Sequence, residues 1–154
     1  MLKTGTKAPD FELMDQNGES CNLESCKGNK TLLYFYSKDN TSGCSKQAVS
    51  YSALKDEFES LGVKILAVSK DTVESHKKFE QKHDLSIRLL ADPEKKILEA
   101  YDVLKDKKQG DKITQATVRT TYVIDENGVI EFADNKVKAA ENAEKMIQYF
   151  KELK

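Results

Sequence analysis

The stretch TLLYFYSKDNTSGC, residues 31–44, decides the fold of this chain and contains its best candidate nucleophile. Residues 31–36 form a continuous apolar and aromatic run, which is typical of a strand buried on both faces of a sheet. From residue 43 to residue 61, apolar side chains recur every three or four positions, which predicts one helix ended by Gly62. Cys44 then lies at the start of that helix, where unpaired backbone N–H groups and the helix dipole favour the thiolate, the reactive form.

The segments on either side alternate between strand and helix patterns. Upstream, residues 11–13 and 21–23 flank an Asn-Gly turn and predict an N-terminal β-hairpin. Downstream, the patterns predict strands over 63–69 and 87–90 and a hairpin of 117–124 and 129–132. They also predict three helices. The first is started by a capping box at Asp71 and Glu74, the second is opened by Asp92-Pro93, and the last spans about 139–153. Residues 105–115 are mostly polar and predict a surface loop.

This order of elements predicts an α/β protein. The central sheet is expected to be mostly parallel, covered by helices on both faces and closed by an antiparallel hairpin. A chain of 154 residues fits one domain, over residues 1–154. The site is expected at the carboxyl end of a central strand, where Cys44 follows residues 31–36.

Composition argues against several classes of function. The net charge is −1 and basic residues are interspersed with acidic ones, which does not resemble a nucleic-acid-binding surface or a polybasic membrane patch. The apolar runs are too short to span a bilayer, and residues 1–5 lack the apolar core of a secretory signal, so we expect a cytoplasmic protein. Three cysteines are too few for a disulfide-stapled scaffold and indicate buried, catalytic or redox-sensing thiols.

A Cys44 thiolate at neutral pH needs more than the helix to stabilise it. Lowering a cysteine pKa from about 8.5 to about 6 takes roughly 3.4 kcal/mol. A helix terminus supplies about 0.3–1 kcal/mol and at best about 2 kcal/mol. A cation or several hydrogen-bond donors must therefore assist, and the candidates are Arg119, Lys38, Lys46 and the hydroxyl of Thr41.

Arg119 is the leading candidate because it lies in a run, residues 117–125, that otherwise predicts an internal strand. A guanidinium buried in a strand is costly unless it meets an anion, and the thiolate is such an anion. The alternative is that Arg119 points to the exposed face beside Thr121, and the sequence leaves both orientations open.

Four motifs carry a family resemblance: YFYSKDNTSGC at residues 34–44, GTKAPDFEL at 5–13, VSKDTVESH at 68–76 and RTTYVID at 119–125. In this order they resemble peroxiredoxins of the bacterioferritin comigratory protein (peroxiredoxin Q) subfamily, over nearly the whole chain. The resemblance implies a thioredoxin-like fold, with a central mixed sheet flanked by helices and an N-terminal β-hairpin. It also implies reduction of hydrogen peroxide or organic hydroperoxides.

The resemblance assigns roles to individual residues. Cys44 matches the peroxidatic cysteine, which becomes a sulfenic acid, Thr41 matches the hydroxyl residue three positions before it, and Arg119 matches the active-site arginine. Gln47 stands where the subfamily often has glutamate, a lesser participant. The resemblance further implies thioredoxin or another small thiol as the reductant and no metal or organic cofactor, and we expect a monomer or weak dimer.

Two positions depart from the subfamily pattern. Ser37 stands where the signature has proline, and its presence is expected to loosen the pocket around the thiolate. Val49 stands where many relatives have a resolving cysteine, and no cysteine follows Cys44. The sulfenic acid must then meet an external thiol or one of Cys21 and Cys26. The alternative for these two cysteines is that they are small side chains filling a partly buried hairpin.

Two alternative functions would use the same cysteine or the same fold. A peroxide-sensing redox protein would use the same Cys44 with little turnover. A thiol–disulfide oxidoreductase would need Cys-x-x-Cys, whereas the run here is Cys-Ser-Lys-Gln. His76 and His83 lie on one predicted helix without a nearby cluster of ligands, and Cys21 and Cys26 lack the spacing of a zinc ribbon, so we expect no metal site.

Overall fold

The computed structural model describes residues 1–153, which form nine strands and five α-helices. The strands are β1 (Glu12–Asp15), β2 (Ser20–Asn22), β3 (Lys30–Phe35), β4 (Val63–Ser69), β5 (Arg88–Ala91), β6 (Leu104–Gln109), β7 (Lys112–Thr117), β8 (Thr120–Ile124) and β9 (Ile130–Asp134). The helices are α1 (Ser42–Ala53), α2 (Lys55–Ser60), α3 (Val73–His83), α4 (Lys96–Ala100) and α5 (Asn142–Glu152), and a 3-10 turn spans Glu24–Cys26. None of the helices in this part of the chain has the length and apolar character needed to cross a bilayer. Lys154, the last residue of the expected domain, lies outside the described residues.

Within residues 1–153, seven strands form one sheet in the order β2-β1-β5-β4-β3-β8-β9. The central strands β3, β4 and β5 run parallel, and the pairs on both sides of them are antiparallel. The predicted α/β class with a mixed central sheet and an N-terminal hairpin is confirmed. The expectation of a mostly parallel sheet is wrong, because β1–β2 and β8–β9 add their strands in the antiparallel sense at either side.

Two hydrophobic cores lie on the two faces of this sheet. Successive side chains of a strand point to opposite faces, and in β3 Tyr34 enters one core whereas Phe35 enters the other. The core that contains Tyr34 and Cys44, packed under α1, is named the helix-side core. The core that contains Phe35, Cys21 and Cys26 is named the hairpin-side core. The sheet therefore separates Cys44 from the other two cysteines.

Strands β6 and β7 replace the surface loop predicted over residues 105–115. They pair as an antiparallel hairpin, and most of their side chains are exposed. A strand that is exposed on both faces carries no alternation of apolar and polar residues, so its sequence resembles a loop. The expected surface position of these residues is confirmed, whereas the prediction of a loop is wrong for that reason.

Residues 43–61 form two helices rather than the single predicted one. Helix α1 ends before Leu54, whose φ of −99° and ψ of 4° separate it from α2. Next to the break, Ser86 donates its backbone N–H to Ser52 Oγ at 3.1 Å and its hydroxyl to Ser52 O at 3.2 Å. These partners are distant in sequence, so the local pattern of apolar residues gives no sign of the break.

The starts of α3 and α4 also differ from the prediction. Thr72, rather than Asp71, caps α3 by accepting a backbone N–H at 3.2 Å. Helix α4 begins at Lys96 rather than at Pro93. Asp92 Oδ2 nevertheless caps α4, since it accepts two backbone N–H bonds from that helix at 2.8 and 3.0 Å.

Candidate active site

Cys44 lies at the N-terminus of α1, close to the carboxyl end of β3. Strand β3 ends at Phe35, and a short loop leads into α1, where Cys44 is the third residue. Thr41 occupies the N-cap position in an extended conformation and makes no side-chain cap hydrogen bond, so the first-turn N–H groups are left uncapped. The predicted position of the cysteine at a helix start beside a central strand is confirmed.

The Cys44 sulfur contacts a guanidinium and a hydroxyl. Arg119 Nη2 donates to Cys44 Sγ at 3.2 Å, and Ser37 Oγ lies 3.4 Å from the same sulfur. Cys44 is 1% exposed, so these interactions face little competition from water. Of the two orientations left open for Arg119, the structure has the one that faces the thiol.

Burial and the hydrogen-bond donors act on the pKa of Cys44 in opposite directions. Burial raises the pKa, but the Ser37 hydroxyl and the nearby Thr41 hydroxyl, which can rotate from Lys38 O toward the sulfur, lower it. The backbone N–H of Lys38 and the Arg119 guanidinium lower it further, and the resulting pKa is about 7. Ser37, expected from the sequence only to loosen the pocket, is thus a donor to the sulfur.

Arg119 is held against the sulfur by a chain of buried amides. It lies between β7 and β8, just outside a strand rather than within one as predicted. Its Nη1 donates to Gln47 Oε1 at 2.5 Å, and Gln47 Nε2 donates to Asn142 Oδ1 at 3.1 Å. Because Gln47 belongs to α1 and Asn142 opens α5, two helices together fix the position of the arginine.

Asn142 has no counterpart among the sequence predictions. Its Oδ1 also accepts hydrogen bonds from the hydroxyls of Tyr51 and Thr121, so α1, α5 and β8 meet at one buried amide. An asparagine near a helix start is ordinarily a sign of a cap. The sequence therefore suggests a cap and gives no sign that Asn142 contacts the Gln47 side chain, since no motif includes Asn142.

The remaining candidate donors lie at the surface. The Thr41 hydroxyl is exposed and donates to Lys38 O at 2.9 Å. A hydroxyl has one proton, so Thr41 must turn away from this carbonyl before it donates to the sulfur or to an oxygen bound there. The side chains of Lys38 and Lys46 are exposed, and neither is among the hydrogen-bond partners of the sulfur within the described residues.

The loop before Cys44 is anchored by a buried pair, Asp39 and His76. Asp39 Oδ2 lies 2.7 Å from His76 Nδ1 and accepts the Ser75 hydroxyl at 2.8 Å, while Asp39 Oδ1 accepts the Tyr36 hydroxyl at 2.6 Å. His76 Nε2 lies 3.0 Å from Leu90 O. Both ring nitrogens of His76 lie within hydrogen-bond distance of oxygen atoms. These hydrogen bonds tie the loop to α3 and β5.

The same cluster has the composition of a metal site, but its carboxylate oxygens already accept hydrogen bonds from the protein. Asp39, Asp71 and His76 place potential ligand atoms within 4.8 Å of one another. Asp71 Oδ2, however, accepts the Asp39 backbone N–H at 2.9 Å and the Ser69 hydroxyl at 2.6 Å. An ion would have to displace these hydrogen bonds, so the donor set favours a loop anchor over a metal centre. His83, the other histidine considered from the sequence, lies outside this cluster.

The structure does not bring Cys21 or Cys26 to Cys44. All three cysteines are free thiols, and the sheet lies between the two that belong to the hairpin-side core and Cys44. A disulfide needs Cα atoms within about 7 Å. A link from Cys44 to either residue would therefore require α1 or the N-terminal hairpin to leave the sheet.

The arrangement around Cys44 favours nucleophilic attack by its thiolate on a substrate atom that carries a leaving group. A half-ionised thiol, a guanidinium and uncapped helix N–H groups converge at one point, where negative charge can be held on the sulfur and on a departing group.

The chain is similar to known proteins over most of its length. A model of the AhpC/TSA family matches residues 4–133. A putative peroxiredoxin Bcp of Coxiella burnetii is 41% identical over 137 residues, which cover 89% of this chain and 91% of the relative. The peroxiredoxin Bcp of Bacillus subtilis is 38% identical over 152 residues, which cover 99% of this chain and 97% of the relative.

Solved structures give the same comparison in three dimensions. The bacterioferritin comigratory protein of Xanthomonas campestris, studied for its alkyl peroxide reduction activity, is similar with a TM-score of 0.91 at 31% identity, covering 99% of this chain and 98% of that one. The peroxidoxin BcpB of Mycobacterium tuberculosis is similar with a TM-score of 0.87 at 26% identity, covering 100% and 99% of the two chains. The thioredoxin-like architecture implied by the motifs is confirmed.

Proposed function

The chain belongs to the AhpC/TSA family and is a peroxiredoxin, a thiol peroxidase, and on this premise we propose a catalytic cycle centred on Cys44. In this cycle the Cys44 thiolate reduces hydrogen peroxide or an organic hydroperoxide and is oxidised to a sulfenic acid. The observation that carries the proposal is the contact of 3.2 Å between Arg119 Nη2 and Cys44 Sγ.

The oxidation step is a displacement at oxygen. The thiolate attacks the terminal oxygen of the hydroperoxide, the S–O bond forms as the O–O bond breaks, and the departing hydroxide or alkoxide takes a proton from water. Negative charge moves from sulfur toward the leaving oxygen during this step. Fixed donors already aimed at the sulfur stabilise that charge without reorganising.

Three groups supply those donors. Arg119 is positioned by Gln47, so its second Nη nitrogen is available at the sulfur. The uncapped N–H groups at the start of α1 face the same region. Thr41 orients the bound peroxide after its hydroxyl leaves Lys38 O.

An external thiol completes the cycle. No cysteine follows Cys44 in the sequence, and Cys21 and Cys26 lie across the sheet from it. Thioredoxin or another small thiol therefore attacks the sulfenic sulfur, which releases water and forms a mixed disulfide. A second thiol then frees Cys44. A single domain over residues 1–154, a cytoplasmic location and a monomeric or weakly dimeric state stay predictions from the sequence.

Steady-state consumption of hydrogen peroxide with thioredoxin, thioredoxin reductase and NADPH tests this cycle. We expect continuous turnover by the wild type, whereas Cys44→Ser should consume no more than about one equivalent of peroxide. If the wild type instead consumes one equivalent of peroxide and stalls, the alternative function of peroxide sensor replaces the cycle. That alternative is motivated by the absence of a cysteine after Cys44.

A further inference from the structure

Cys21 and Cys26 form a pair of thiols that the Cys44 cycle does not use. Cys21 lies in β2 and Cys26 ends the 3-10 turn that follows, and both side chains pack in the hairpin-side core. Both residues belong to the hairpin-side core and line the same cavity, and the Cys26 thiol donates to Asn22 O at 3.6 Å. They are 3% and 4% exposed, which is burial similar to that of Cys44. Burial alone therefore does not distinguish this pair from a reactive cysteine.

A cavity of about 490 Å³ gives access to the pair. It opens beside the N-terminal hairpin and the first residues of β4, and both cysteines line it. A water molecule occupies about 30 Å³, so a small hydroperoxide has ample room there. Three cations, Lys55, Lys64 and Arg88, line the cavity together with four carboxylates, and Lys64 Nζ donates to Ser25 O at 3.3 Å.

The surroundings divide the charge unequally between the two sulfurs. The hydrogen bond from Cys21, despite opposition from burial, lowers the pKa of Cys26 to about 6. The hydroxyls of Thr31 and Ser25 and the charge of Lys64 act in the same direction on Cys26. The same hydrogen bond, together with burial, raises the pKa of Cys21. Of the two thiols, Cys26 therefore ionises more readily once its bond to Asn22 O is released, and it is the nucleophile of the pair.

We propose that Cys21 and Cys26 are a second redox-active site, which a hydroperoxide converts to an intramolecular disulfide without the participation of Cys44. The Cys26 thiolate attacks the peroxide oxygen, the S–O bond forms as the O–O bond breaks, and the leaving hydroxide takes a proton from water. Cys21 then attacks the Cys26 sulfur, the S–S bond forms, and the sulfenic hydroxyl leaves with the Cys21 proton as water. One hydroperoxide is reduced by two electrons and the two thiols are oxidised.

The test uses Cys44→Ser, in which the pair supplies the only thiols of the chain. After exposure to hydrogen peroxide and alkylation of the remaining thiols, the protein is cut after glutamate, which separates the two cysteines at Glu24. We expect both thiols to be lost together and the two peptides to stay linked within a single chain. The proposal is overturned if both thiols remain alkylatable at a peroxide dose that fully oxidises Cys44 in the wild type, or if the only links join two chains.

Two further variants assign the nucleophile. For a pKa of about 6 rather than about 8.5, the thiolate fraction at neutral pH is about thirty-fold larger. In the Cys44→Ser background, Cys26→Ser should therefore slow thiol oxidation roughly ten-fold or more, whereas Cys21→Ser should leave Cys26 as a sulfenic acid that dimedone traps. The same digest of the wild type provides a reading that does not depend on any variant folding. Because Cys44 is absent from the variants, a failure here leaves the proposed cycle untouched.

Discussion

Cys44 and the Cys21–Cys26 pair are two buried thiol sites on opposite faces of one sheet, and they are built in different ways. Cys44 is stabilised by a guanidinium that lies 75 residues away in sequence and by donors in the loop before α1. In the pair, the Cys26 thiolate is favoured mainly by the thiol of Cys21, which is close in sequence. The difference shows that a thiol becomes reactive through its neighbours rather than through its exposure.

The reactivity of the two sites should accordingly respond differently to substitutions elsewhere in the fold. The Cys44 site depends on Arg119, on its amide support and on the anchored loop, so a change in any of these should alter Cys44 and spare the pair. The pair depends on the N-terminal hairpin and on the start of β4. Substitutions that act on one face at a time therefore test the comparison.

The largest expected effect is on the anchor of the Cys44 loop. His76→Leu leaves two buried groups, the Asp39 carboxyl and Leu90 O, without their histidine partner, and this should lower the free energy of unfolding by about 3 kcal/mol or more. Urea denaturation measures the loss, and alkylation rates should show Cys44 altered and the Cys21–Cys26 pair unchanged.

His83→Leu is the matched control, on the same helix. His83 Nε2 is buried and has no hydrogen-bond partner among the described residues, so its replacement should cost less than about 1 kcal/mol. Equal destabilisation by His76→Leu and His83→Leu would show that the contact of Asp39 with His76 does not anchor the loop.

The next effect is on the cation at the sulfur. Arg119→Ala should slow the reaction of Cys44 with hydrogen peroxide about 100-fold, because it removes a charged donor from the reacting centre. The pKa of Cys44 should rise above its value of about 7, so the pH at which the rate reaches half its maximum moves upward. Stopped-flow measurements over a range of pH around neutrality record both changes.

Arg119→Lys is the companion variant. It keeps the charge but loses the planar fork that joins Gln47 to the sulfur, so its rate should lie between those of the wild type and Arg119→Ala. A normal rate in Arg119→Ala, together with a lower melting temperature, would make the arginine a structural residue.

A smaller effect is expected at Ser37. Ser37→Ala removes a neutral hydrogen bond to the sulfur, which is worth about 1 kcal/mol or roughly five-fold in rate below the Cys44 pKa. The pKa of Cys44 should rise because the thiolate loses this donor. The pH dependence of Cys44 alkylation by iodoacetamide measures the shift. Ser42→Ala, at an exposed serine close by, should leave the profile unchanged.

The smallest effect is expected when both cysteines of the pair are replaced. Combining Cys21→Ser and Cys26→Ser should leave peroxidase turnover within about two-fold of the wild type, because distant sites act independently. Turnover with the thioredoxin system measures this. If the first oxidation of Cys44 stays fast but turnover stops, one of the two cysteines does resolve Cys44, and the separation by the sheet is not maintained during the cycle.

Much of this protein could be predicted from local sequence because the patterns concerned are local. The buried run before Cys44, the position of Cys44 at a helix start and the N-terminal hairpin each follow from a few neighbouring residues. The break at Leu54 and the strands β6 and β7 did not follow from them. Each depends on partners or exposure that periodicity does not record.

Tertiary structure alone decided the chemistry around the sulfur. The sequence proposed Arg119 but left its direction open, and the amide chain through Gln47 to Asn142 is what turns it toward Cys44. The placement of Cys21 across the sheet likewise depends on how the hairpin packs. The physical reason is that hydrogen bonds and charges act over a few ångströms in space, whatever distance the chain places between them. The sequence determined which groups are available, and the fold determined which of them meet.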